Sequence, residues 1–186
     1  LDISSLVIYK EKLLYGSLSQ GLYEVDGFQI NSFSDYPEVQ NLTTINNLKS
    51  YQDQLFIYDL TAGGFLIKNG SLIELSGSLN QMLKDDIINK VEFIDSKTIA
   101  FGTIKNGVLI YNVEDQTLKI INRKAGIRNN TVLDIKAHNG NLWLALDNGV
   151  SRIDIDSDVT FFNDDTGVLG TVYDVAFFNN QYYLAR

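Results

Sequence analysis

The chain has 186 residues, 45% of them hydrophobic and 20% charged, enough apolar material for a sizeable core and too much for wholesale disorder. Fifteen Lys and Arg against 23 Asp and Glu give a formal net charge of −8, which argues against a nucleic-acid surface built on counterion release and against docking on anionic lipid. The absence of cysteine excludes disulfide frameworks, Cys-based zinc sites and thiol catalysis, and there is no run of about 18 apolar residues to span a membrane.

From the N-terminus onward the sequence is a succession of paired apolar strands. Leu6-Val7-Ile8-Tyr9 precedes Leu13-Leu14-Tyr15-Gly16, and Leu48-Lys49-Ser50-Tyr51 precedes Leu55-Phe56-Ile57-Tyr58. Val91-Glu92-Phe93-Ile94 then leads to Ile99-Ala100-Phe101-Gly102, and Val132-Leu133-Asp134-Ile135 to Leu142-Trp143-Leu144-Ala145. Last come Val172-Tyr173-Asp174-Val175 and Tyr182-Tyr183-Leu184-Ala185. In the first four copies a glycine follows the second strand: Gly21, Gly64, Gly107 and Gly149, at spacings of 43, 43 and 42. A repeat of this length is the signature of a stacked architecture. The fourth copy predicts strands over 131–137, 141–146, 149–155 and 158–163, with turns at His138-Asn139-Gly140-Asn141 and Asp147-Asn148-Gly149, because Asn-Gly between apolar runs supplies the positive φ of a primed hairpin turn. Leu83, Ile87 and Val91 recur every four residues, but they run straight into a strand and predict at most one helical turn.

Four meandering strands in each unit predict an all-β chain of β-propeller blades, because first and second strands that are apolar on both faces need a sheet on either side. A solenoid β-helix has shorter rungs and fits less well. The predicted blades are 1–43, 44–86, 87–129 and 130–170, with a half blade over 171–186. With Leu at position 1, no basic-then-apolar leader and a half blade at the other end, the reading is a fragment of a larger propeller, whose open edge invites self-association or the remaining blades of a parent.

The fourth copy carries a more specific signal. Gly126-Ile127-Arg128-Asn129-Asn130-Thr131-Val132, the Gly140-Asn141 turn, Leu142-Trp143-Leu144-Ala145 and Gly149-Val150-Ser151-Arg152-Ile153 resemble the two-component-regulator propeller repeat, and Gly167 to Val175 echoes its opening. The resemblance covers about 30 residues well; the first three copies keep the strand grammar and the glycine, and Ala145 stands where the family often has Gly. It implies the extracytoplasmic, periplasmic or cell-surface sensor region of a hybrid histidine kinase, a setting found chiefly in Bacteroidetes. An immunoglobulin-like domain, a membrane helix and signalling domains would follow the propeller. Many such sensors respond to oligosaccharides. Similar repeats occur in secretion-system surface proteins, so a structural or adaptor propeller is the alternative.

Chemistry-bearing motifs are sparse. His138 is the only histidine, has no Ser or Cys partner in any motif, and reads as a solvated turn residue. Trp143 aligns with Phe56, Phe101 and Tyr183 and is expected to pack in the blade. Asp154-x-Asp156-x-Asp158 opens like a calcium loop but lacks the glycine and the distal Glu, so it reads as a charged hairpin tip. Asp85-Asp86 has no matching carboxylate for glycosidase chemistry, and there is no phosphate loop, dinucleotide fingerprint or nucleophile elbow. A propeller lyase is therefore the weakest reading; no enzyme activity, cofactor or metal is expected. Ligand contacts are expected in the blade-to-blade loops, about 34–44, 77–87, 124–130 and 164–171, with Tyr36, Arg128, Asn129 and Asn130 foremost and Glu38, Asn80, Gln81 and Lys84 beside them. An aromatic with amides and a charge suits sugar hydroxyls.

Overall fold

A computed structural model describes residues 2–155, 157, 171–179 and 181–185. Strands β1 (Ile3–Tyr9), β2 (Lys12–Ser17), β3 (Gly21–Asp26) and β4 (Gln29–Ser32) form one antiparallel sheet in sequential order. The second sheet holds β5 (Ile45–Tyr51), β6 (Gln54–Asp59), β7 (Gly63–Lys68) and β8 (Ser71–Glu74), and the third holds β9 (Ile88–Phe93), β10 (Thr98–Thr103), β11 (Val108–Asn112) and β12 (Leu118–Ile121). In the fourth, β13 (Val132–His138), β14 (Asn141–Leu146) and β15 (Gly149–Asp154) are described, and the strand expected over 158–163 lies outside the described residues. A last hairpin pairs β16 (Asp174–Phe178) with β17 (Gln181–Ala185). These are the meandering four-stranded blades of a β-propeller.

Each core lies between blades rather than within one. Tyr9, Leu14 and Leu22 of the first blade meet Ile45, Leu48, Leu55 and Ile57 of the second. Phe56, Tyr58 and Leu66 of the second meet Val91, Phe93, Ile99 and Phe101 of the third. Ala100 and Val108 of the third meet Val132, Ile135, Leu142 and Leu144 of the fourth. A strand with both faces apolar is thereby explained: one face serves the blade before, the other the blade after.

The glycine frame holds with one displacement. Gly21, Gly107 and Gly149 take positive φ of 93°, 78° and 138°, but in the second blade that role falls to Gly63, at 108°, and not to Gly64. A Cβ on Gly107 would lie 2.3 Å from the Ile121 carbonyl oxygen, so only glycine fits beside that strand. Asn139 and Gly140 both have positive φ, 49° and 71°, as a primed turn requires. At the turn into β15 only Gly149 does, so Asp147-Asn148 is not of that type.

Two expectations are corrected. The segment before β9 holds a nine-residue helix, α1 (Gly77–Asp85), not a single turn. Leu79 and Leu83, one helical turn apart, bury between the second and third blades, and Asn80 on the same face accepts the Gly64 N–H at 2.8 Å and donates to the Leu75 carbonyl at 3.2 Å. Packing of this face, not propensity, holds the helix. Trp143 is the second correction: the residue is 44% exposed. It pairs with Lys136 as Phe56 pairs with Lys49, whereas Phe101 pairs with Val91 and sits one place off that register. Phe56 is covered by the third blade, but among the described residues nothing buries the face of the fourth sheet carrying Trp143, and every described residue of β16 and β17 is itself exposed.

Candidate ligand pocket at the inner strand ends

The four inner strands β1, β5, β9 and β13 stand side by side, each in contact with the next. Side-chain bridges join them to neighbouring backbones: the Ser4 hydroxyl donates to the Ile45 carbonyl, the Asn47 amide to Ile88 at 3.3 Å, and the Asn89 amide to Val132 at 2.9 Å. The fifth residue of each inner strand falls at one height: Val7, Lys49, Glu92 and Lys136. Lys49 and Lys136 both reach Glu92, at 2.5 and 2.7 Å, on its two separate carboxylate oxygens. The Ala137 N–H also donates to Glu92, at 3.4 Å.

The electrostatics of this bridge are uneven. Only 5% of the Glu92 side chain is exposed, against 31% for Lys49 and 73% for Lys136. Burial pushes the Glu92 carboxyl up, but Lys136 and Lys49 outweigh it and hold the group below the usual glutamate value. Glu92 is thus an ionised, shielded anchor for two lysine heads that reach toward solvent.

Beside the bridge opens a cavity of about 370 Å³. Its walls include Tyr51, Phe93, Ile94, His138, Asn139 and Gly140 as well as the three charged residues. Tyr51 and Phe93 are stacked at 5.4 Å between ring centroids with planes 17° apart. Tyr51, Ile94 and His138 are the seventh residues counted from the starts of their inner strands, so the pocket is built from the repeat itself. It lies at the far end of these strands from where the blade-to-blade connections enter them.

The residues singled out in the sequence fall elsewhere and serve other ends. Tyr36 leans on Phe33, and its hydroxyl stands 3.5 Å from those of Tyr9 and from the Lys10 ammonium. Burial first, then the Tyr36 contact, pushes the Tyr9 hydroxyl up to about 12 against the pull of Lys10. The Asn130 amide oxygen accepts the Arg123 N–H at 2.8 Å, and its carbonyl accepts Gly107 at 3.0 Å. The Asn129 amide oxygen accepts Thr131 at 3.1 Å, which leaves Arg128 exposed beside two asparagines occupied with turn geometry. Asn130 also lines a shallow recess of about 410 Å³ with Asn122, Arg123 and Lys124. Tyr36 therefore belongs to the first blade's surroundings and the other three to the entry into the fourth.

Asn80 is buried scaffolding, Gln81 bonds Asp85 at 3.0 Å, and Glu38 and Lys84 are exposed. Asp86 accepts the Lys105 and Asn106 N–H groups at 3.0 to 3.1 Å, so it holds the β10–β11 turn. His138 is exposed at the end of β13, against the pocket. Asp156 and Asp158 of the acidic tip lie outside the described residues, and the described residues contain no group of three or more His, Asp or Glu able to hold a metal. Sequence reasoning passed over Lys49, Glu92 and Lys136. The strand pattern sets Leu133, not Lys136, opposite Lys49 and Glu92; only the observed start of β13 at Val132 puts Lys136 at their height.

No family model and no curated protein matches the chain. Solved structures do. The extracellular domain of the hybrid two-component system BT4673 from B. thetaiotaomicron superposes with a TM-score of 0.60 at 19% identity, over 81% of this chain and 20% of that one. That of BT3049, from the same organism, gives 0.58 at 14%, over 98% of this chain and 27% of that one. The WD40 β-propeller domain of Doa1 gives 0.57 at 11%, over 85% and 53%. At these identities the likeness is one of fold, and this chain spans well under two thirds of each of the three. No helix among the described residues is long and apolar enough to cross a membrane.

Proposed function

We propose that this chain is part of the non-enzymatic, extracytoplasmic sensor propeller of a two-component signalling protein, placed in the periplasm or at the cell surface. Blade four carries the reading. There the residues that resemble the sensor repeat, Gly126 with its positive φ, the Asn129 turn and the Asn139-Gly140 hairpin, all hold the geometry of one propeller blade. The fold shared with two extracellular domains of two-component systems supports it. The ligand is an oligosaccharide or other small molecule, and transmission is a shift in how propellers pack, since a ligand signals only through different affinities for two arrangements. The partners are the remaining blades of a parent propeller or a second copy. No cofactor enters this reading.

The test is a thermal-shift screen of the intact extracellular region of the parent against oligosaccharides of different linkages. A ligand at about 100 times its dissociation constant stabilises the native state by about 2.7 kcal/mol, a rise of several degrees for a domain of this size and less for a larger one. A rise with one linkage class supports direct sensing. No rise with any favours the adaptor reading, which the bare apolar faces of the first and fourth blades also suit.

A further inference from the structure

The pocket at the inner strand ends has a surplus of hydrogen-bond donors and of positive charge. Each lysine ammonium carries three N–H groups, and among the described residues Glu92 is the acidic partner of both Lys49 and Lys136. Among the described lining residues one carboxylate faces two lysines, so that group carries one net positive charge, on a chain whose formal net charge is −8. Among the described residues Glu92 is the only acidic one lining the cavity, and its shielded oxygens are already engaged. The two heads are held in place by that carboxylate, so a ligand accepting from both need not first order two flexible side chains. The stacked Tyr51–Phe93 pair offers an apolar wall beside them.

We propose that this pocket is an oxyanion site, in which Lys49 and Lys136 take the carboxylate or sulfate group of a small organic ligand while Tyr51 and Phe93 meet its apolar part. Charge-assisted N–H···O bonds from two ammonium groups are the recognition. Glu92 acts as a positioning residue that fixes the lysine heads. The assignment rests on the pocket's geometry and extends the sensor reading by naming the ligand's chemistry.

The experiment is an NMR titration of the full chain with sodium glucuronate, sodium sulfate and neutral glucose at matched ionic strength. Glucuronate or sulfate is expected to move the amide resonances of Lys136–Gly140, with glucose leaving them in place. Movement by both anions defines a general oxyanion site; movement by glucuronate alone defines a site for a carboxylated sugar. Lys136→Gln, at a largely exposed position, should raise the dissociation constant at least tenfold and lower the melting temperature by no more than a few degrees, while Lys136→Arg restores both. Unmoved resonances at tens of millimolar anion, or equal affinity in Lys136→Gln, would overturn the site. Signalling is read separately in the parent. A parent that answers a neutral oligosaccharide with Lys136→Gln silent keeps the sensor reading and removes the site. Anion binding by the chain with no response in the parent does the reverse.

Discussion

Glu92 is where the energetics of a single residue can be followed furthest. Its carboxyl is held below the usual glutamate value, so its contribution is present above the unfolded value near 4.5 and is lost as pH falls through the lower folded value. We therefore expect Glu92→Gln to cost about 1–2 kcal/mol at neutral pH, at the modest end for a buried ion pair because Lys136 can turn to water. The difference from the parent chain should shrink below about pH 4.5, as shown by urea unfolding at several pH values. Gly107 gives a second test. Gly107→Ala meets both a positive φ and the Ile121 carbonyl and should cost about 2–3 kcal/mol. Gly70→Ala shares the positive φ but has open space around it and should cost about 1 kcal/mol. At this scale the sequence was legible in part. The glycine spacing showed the repeat, but with Gly63 and Gly64 adjacent only the backbone shows which one takes positive φ. The Lys49–Glu92–Lys136 bridge spans three copies and carries no local pattern.

The elements were legible wherever the chain makes a hairpin and less so where it passes between blades. Strand pairs follow from period and turn chemistry, both local. The connections are packed from outside: each of the three that are described carries a short helical stretch, Pro37–Asn41, Gly77–Asp85 or Arg123–Ala125. Leu79 and Leu83 look like two scattered leucines until the neighbouring blades supply the hydrophobic wall. Leu83→Ala should accordingly cost about 3 kcal/mol in chemical denaturation, a core value and not a loop value. The β1–β2 turn offers the opposite sign. Lys10 and Glu11 both sit at positive φ, 48° and 65°, which strains residues with a Cβ. Glu11→Gly should stabilise the chain by about 0.5–1 kcal/mol, read as a higher denaturation midpoint with an unchanged slope.

For the whole molecule, the class of fold was legible because repetition multiplies a weak signal, whereas the fate of Trp143 was not, since it depends on what covers the fourth blade. The first blade bares Leu6, Ile8 and Leu13 on its outer face, and the fourth bares Leu133, Trp143 and Val150. In the middle of the stack the equivalent faces lie against each other, so head-to-tail association of two copies reuses an existing mode of packing. Sedimentation should show mass rising with concentration, and Trp143→Lys should suppress the rise; a monomer at every concentration would remove the association. Trp143 is the sole tryptophan, so its emission should move to the blue as its face is covered. Because every core is shared between neighbours, the stack behaves as a one-dimensional chain of nearest-neighbour couplings. An open row has one coupling fewer than it has blades, while a closed ring has as many couplings as blades. Closure therefore adds a complete interface without ordering any further chain, and the step that shuts the ring gains the most stability for the least entropy.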